Sequence, residues 1–145
     1  MLYQIVLHIH SIYRWVLIVA FIAALIESYK AMKTKPNKLN YYNRLLFYSM
    51  NGMFLLGLIL YFISPKVVFA SESMKHDMTR FFLLEHITMM VIAIGIFSIS
   101  YGKWKRSDKG SKAGKRSFIF ILITLAIILL AIPWPFRENL MGGWF

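Results

Sequence analysis

The chain contains no cysteine. Disulfides, thiolate metal sites and dithiol redox chemistry are therefore excluded. Acid is scarce: six Asp and Glu stand against 17 Lys and Arg, a formal net charge of +11. Such a balance can mark a nucleic-acid binder. The placement of the charges argues against that, because they cluster in two short loops between apolar runs. No repeat and no low-complexity segment is visible, and no catalytic nucleophile or substrate pocket can be read, so no enzymatic activity is assigned. The first apolar run lacks a basic leader and a small-residue cleavage site, so no cleavable signal peptide is expected.

What the chain has is apolar length. Hydrophobic residues make up 59% and the mean hydropathy is +0.59, too apolar for an ordinary soluble domain. Its 145 residues fit a single domain. Four spans are expected, at about residues 2–29, 44–63, 80–101 and 117–132, giving an all-α, integral-membrane four-helix bundle that runs up-down-up-down. The first would span about 42 Å at 1.5 Å per residue, against a hydrocarbon core of about 30 Å. Ser64-Pro65 closes the second, because a residue before proline disfavours helix, and Pro133 and Pro135 end the fourth.

The basic residues orient the bundle. Lys30, Lys33, Lys35, Lys38 and Arg44 join the first two spans without an acid. Seven basic residues against Asp108 alone fill the loop 102–117. By the positive-inside rule both loops are cytoplasmic, and both termini and the loop 64–80 are extracytoplasmic. Trp134 and Tyr61 are then expected in the outer aromatic belt, and Trp104 and Tyr101 in the inner one.

The first span opens on His8-Ile-His10-Ser-Ile-Tyr-Arg14-Trp15. A charge within a bilayer costs about 2.5–3.5 kcal/mol on insertion scales, so Arg14 needs a partner. His10 and Arg14 are four apart and share a helix face. Counted from the inner ends of the parallel first and third spans, Arg14 and His86 lie at one depth, with Glu85 beside His86. Arg14 and Glu85 are therefore expected to pair across these helices, directly or through water. His10 and His86 become candidate ligands of one haem iron, since helix bundles build cofactor sites from facing histidines. The bland alternative is that the two imidazoles only hydrogen-bond across the bundle. Gly57 and Gly95 are small enough to admit a flat cofactor or another helix. Asn51 is placed too deep to join this cluster and is expected to bond between helices. Arg137, at the outer end of the fourth span, could meet a haem propionate, a lipid phosphate, or Glu138 and Glu72. The last residues, 141–145, could fold back as a lid or anchor the tail. Met74, His76 and Met78, with Met89 and Met90, allow a minor copper(I) reading.

Four motifs carry a resemblance over nearly the whole chain. His10-Ser-Ile-Tyr-Arg-Trp15, residues 56–65, Arg80-Phe-Phe-Leu-Leu-Glu-His86 with Met89-Met90, and Ile132-Pro-Trp-Pro-Phe-Arg137 resemble those of small four-span membrane proteins of Bacteroidetes that are labelled cytochrome b. Some relatives carry a histidine near the position of Asn51, where this chain departs. The histidine-bearing helices and the Glu-His pair are also loosely similar to one four-helix half of haem A synthase, an analogy of fold alone. The family resemblance implies b-type haem in the bacterial inner membrane, with His10 and His86 as ligands. Arg14 and Glu85 are then expected to surround the ligands, and, as no catalytic nucleophile or substrate pocket can be read, electron transfer with a quinol or a respiratory partner is the expected role. The alternative function is a cofactor-free accessory subunit of an inner-membrane complex, in which the same polar residues join helices. The lipid bilayer is the expected partner in either case, with partner subunits a further candidate and nucleic acid excluded.

Overall fold

The computed structural model describes residues 1–34, 41–106 and 111–144. Lys35, Lys38 and Asp108 of the basic loops, and Phe145 of the tail, lie outside the described residues. Four helices are long and apolar enough to cross a membrane: α1 (Leu2–Thr34), α2 (Tyr41–Ile63), α3 (Asp77–Arg106) and α4 (Ser111–Ala131). All run past the expected boundaries at their basic ends: in α1, α3 and α4 the added turns carry Lys and Arg, good helix formers that solvate them, whereas α2 gains Tyr41, Tyr42 and Asn43. At 33 residues, α1 is about 50 Å long and exceeds a hydrocarbon core of about 30 Å. Short 3-10 turns at Ser71–Lys75 and Glu138–Leu140 complete the end that carries both termini. No strand occurs among the described residues.

The helices run up-down-up-down, and their packing places α1 against α2 and α4, and α3 chiefly against α4. Helices α1 and α3 therefore stand diagonally opposed. Burial explains the arrangement. On α1, Ser11, Arg14, Leu17, Phe21, Ala24, Ser28 and Ala31 are buried at helical spacing. The opposite stripe, including Ile5, Ile9, Ile12, Val16 and Val19, stays exposed and apolar. A helix that is apolar outside and mixed inside suits lipid rather than water. Phe21 and Phe97 meet across the diagonal, ring centroids 6.4 Å apart, and fill the middle of the core with Leu46 and Ile121.

Lipid tails are as apolar as Leu, so burial of apolar surface does little to hold these helices together; close packing and interhelical hydrogen bonds must do it. At the loop end, buried Asn43 donates to Ser117 Oγ at 2.8 Å, and Ser28 Oγ lies 3.3 Å from the same oxygen, joining α2, α4 and α1. Glu27 of α1 accepts the Tyr42 N–H at 3.0 Å, capping the first turn of α2. Asn51, expected to bond between helices, instead donates to Phe47 O of its own helix at 2.7 Å. Trp104 and Tyr101 also turn inward: Trp104 is buried, and Tyr101 stacks on Phe47 with centroids 4.5 Å apart.

Gly114 marks the tightest approach of α1 and α4. A Cβ there would lie 2.8 Å from Met32 N and 2.9 Å from the Ala31 carbonyl carbon, both backbone atoms that cannot swing aside. Gly114→Val should lower stability by about 1–3 kcal/mol, as overpacking does. Gly95→Ala, where nothing lies within 4 Å, should be neutral or stabilising. Thermal denaturation in detergent checks the pair; equal midpoints for both variants would contradict the close approach.

Candidate functional site

Above the Phe21–Phe97 contact the diagonal helices part and leave a cavity of about 350 Å³. That is within the range of small-molecule and cofactor sites, roughly 300–1,000 Å³. Its lower walls are apolar, from Leu17, Met50, Met53, Met90, Ala93 and Ile128. Its upper part carries His10, Ser11 and Arg14 from α1, His86 from α3, and Lys66 from the segment after α2. No acidic residue among the described residues lines it. The two histidines, on diagonal helices, line the same space.

The imidazoles are held differently. His86 Nδ1 lies 2.8 Å from the carbonyl of Ala131, the last residue of α4. A carbonyl only accepts, so the ring proton sits on Nδ1 and Nε2 keeps its lone pair. A metal-binding histidine is oriented this way, by a backbone carbonyl on its other nitrogen. His10 Nδ1 is buried and has no hydrogen-bond partner among the described residues. A Cβ at Gly57 of α2 would come within 3.3 Å of His10 Cε1, so the glycine gives this ring its room. His8, by contrast, bonds back to Gln4 O at 2.7 Å and takes no part.

The expected Arg14–Glu85 pair does not form. Glu85 accepts from Arg80 Nε at 2.8 Å, and Arg80 also reaches Asp77 at 3.0 Å. The cause is a π turn at Phe81–Glu85, where the His86 N–H bonds to Phe81 O. Its i→i+5 pattern puts residues five apart on nearly one face. Arg80 and Glu85 thus meet on the outside, while Phe81 is buried and His86 lines the cavity. Depth alone aligned Glu85 with Arg14; adjacent residues on a helix point about 100° apart.

Arg14 is satisfied from elsewhere. It is 9% exposed, and its Nη2 donates to the carbonyls of Trp144 at 2.6 Å and Gly143 at 3.4 Å. Trp15 Nε1 donates to the same Trp144 oxygen at 3.2 Å. Trp15 also stacks on Trp144 (6.2 Å) and meets Trp134 edge-on (6.1 Å). The tail is therefore a lid, and Met141, Gly142 and Gly143 line the cavity beneath it. Arg14 Nε remains buried without a partner.

Arg137 is not at the cavity. Its Nη1 donates to Leu130 O at 3.1 Å and its guanidinium lies 5.0 Å over the Phe81 ring, so it forms no ion pair with Glu72 or Glu138 and closes the end of α4. The basic group that lines the cavity together with Arg14 is Lys66, for which the sequence carries no signal beyond its place just after Pro65. Its Nζ donates to Met141 O at 2.9 Å, lies 5.0 Å over the Phe82 ring, and burial holds its pKa below the usual lysine value. No group of three or more His, Asp or Glu that could hold a metal ion occurs among the described residues, and Met74 and His76 of the copper reading are exposed.

No family model, curated protein or solved structure matches the chain.

Gly142 tests the lid. A Cβ on it would overlap the Pro133 carbonyl oxygen. Gly142→Ala should lift the tail from Arg14 and Trp15, red-shift the tryptophan fluorescence and cost about 1.5–3 kcal/mol, the worth of hydrogen bonds to a charged group. An unchanged spectrum and melting point would contradict a seated tail.

Proposed function

We propose that the protein is a small cytochrome-b-like membrane protein that holds haem b between α1 and α3, with His10 and His86 as iron ligands. The observation that carries this reading is the pair of imidazoles in one cavity, one with an unpartnered buried nitrogen and one with its proton drawn to a carbonyl. When bound, the haem would supply a one-electron couple suited to exchange with a quinol or a respiratory partner. Ala131 fixes the tautomer of His86, Gly57 leaves room for His10, and the tail lines the polar end of the cavity. Arg14 belongs beside this site as a charge with no carboxylate partner among the described residues. Glu85 and Arg137 are engaged with Arg80 and with Leu130 and do not line the cavity. Membership of the four-span family labelled cytochrome b is part of the same proposal, as is the bacterial inner membrane. The basic loops favour the orientation in which the cavity end faces away from the cytoplasm.

A cofactor-free accessory subunit is the second reading. It draws on Arg14, whose best hydrogen bonds are made within the chain.

Absorption spectroscopy separates the two. Protein purified from cells supplied with haem should show a Soret band that sharpens and shifts on reduction. His10→Ala and His86→Ala should each reduce retained haem by about tenfold or more, as loss of one of two iron-binding residues would. A folded protein that stays colourless after haem is supplied would overturn the haem reading and favour the accessory subunit.

A further inference from the structure

The cavity contains a second, unassigned feature: positive charge with no counter-charge among the described residues. Arg14 and Lys66 both line it, and no described Asp or Glu does. No carboxylate among the described residues lies within ion-pair distance of either. Their hydrogen bonds go to neutral carbonyls of the tail, Arg14 to Gly143 and Trp144, and Lys66 to Met141. Carbonyls satisfy donors but do not neutralise charge, and an unneutralised cation out of water is unfavourable. Arg14 Nε is buried with no hydrogen-bond partner among the described residues. Below this charged end the walls are apolar.

We propose that the tail end of the cavity is a carboxylate subsite, in which Arg14 and Lys66 receive the acidic head of an amphiphile whose apolar body lies lower, between α1, α2 and α3. The chemistry is a carboxylate on an apolar body. It has two sources in a membrane: a propionate of haem, or the head of a free fatty acid. The subsite goes beyond the haem reading, because it requires a carboxylate and not an iron. The tail links both cations: Met141 O takes Lys66, and Gly143 O and Trp144 O, two and three residues on, take Arg14. A bound carboxylate would favour the charged form of Lys66 and so oppose the depression of its pKa by burial.

The test compares each acid with its uncharged ester on the full-length protein in a non-ionic detergent. Binding of spin-labelled stearic acid is measured against its methyl ester, and binding of haemin against haemin dimethyl ester. The expected result is that at least one acid binds about tenfold or more tightly than its ester, as a charge-assisted hydrogen bond requires. The stearate arm alone would assign a fatty acid and leave the haem reading to fail by itself; the haemin arm alone would assign a propionate. Lys66→Gln, at the rim and outside the spanning helices, should abolish most of the preference without loss of fold, and Arg14→Gln should do the same where it folds. Lys75→Gln, at an exposed pair with Glu72, should leave it intact. Equal binding of acid and ester in both arms, binding of neither acid, or a preference that survives Lys66→Gln and Arg14→Gln would overturn the subsite.

Discussion

A buried guanidinium with no carboxylate in reach among the described residues is the constraint on which the terminal half of this bundle depends. Arg14 sits on the inward face of α1, 9% exposed, so its donors are met chiefly by protein. The answer is the backbone of the tail. To deliver two successive carbonyls there, the chain must turn back sharply after α4. Ile132-Pro-Trp-Pro ends the helix, a 3-10 turn at Glu138–Leu140 reverses direction, and Leu140 is buried as an anchor. Met141 then takes a left-handed conformation (φ 47°), a strain of about 1–2 kcal/mol for a residue other than glycine. Gly142 passes against the Pro133 carbonyl, which no side chain would allow. Each of these local choices makes sense only because Arg14 waits at the end of the path.

The π turn in α3 solves a second geometric problem. A plain α-helix through 80–90 would not place Phe81 and His86 on one face. The extra residue in the turn does so and turns the carboxylate of Glu85 out toward Arg80. The same insertion thus presents the imidazole to the cavity and removes the carboxylate from it. An apolar-walled chamber with two imidazoles and two cations is the result.

The fold was legible in the sequence because its cause is local. Runs of about 20 apolar residues, ended by proline or by clustered Lys and Arg, leave little besides a four-span bundle. The site was legible in depth but not in angle. Counting residues along parallel helices aligned His10 and Arg14 with Glu85 and His86, but direction around α3 depends on one i→i+5 hydrogen bond that no residue type announces. Asn43 and Asn51 show the same limit: both are amides on α2, and only the packing of Ser28 and Ser117 against one of them makes it the interhelical bond. The tail was ambiguous for a different reason. Its contacts with Arg14 and Trp15 reach across about 130 positions of chain, which no periodicity records.

The shortage of acid connects these features. Of the six acidic residues, Glu27 caps α2, Glu72 pairs with Lys75, and Asp77 and Glu85 both bind Arg80. Glu138 is exposed and Asp108 lies outside the described residues. The acids with partners are thus engaged near their own helix ends or surfaces, and none lines the cavity. A single inward-facing carboxylate beside Arg14 would have made the tail's carbonyls unnecessary and neutralised one of the chamber's two cations. The chain instead uses dipoles, which leave the charge in place. That choice costs stability in a protein with nothing to bind, and it is useful in one whose ligand brings its own negative charge.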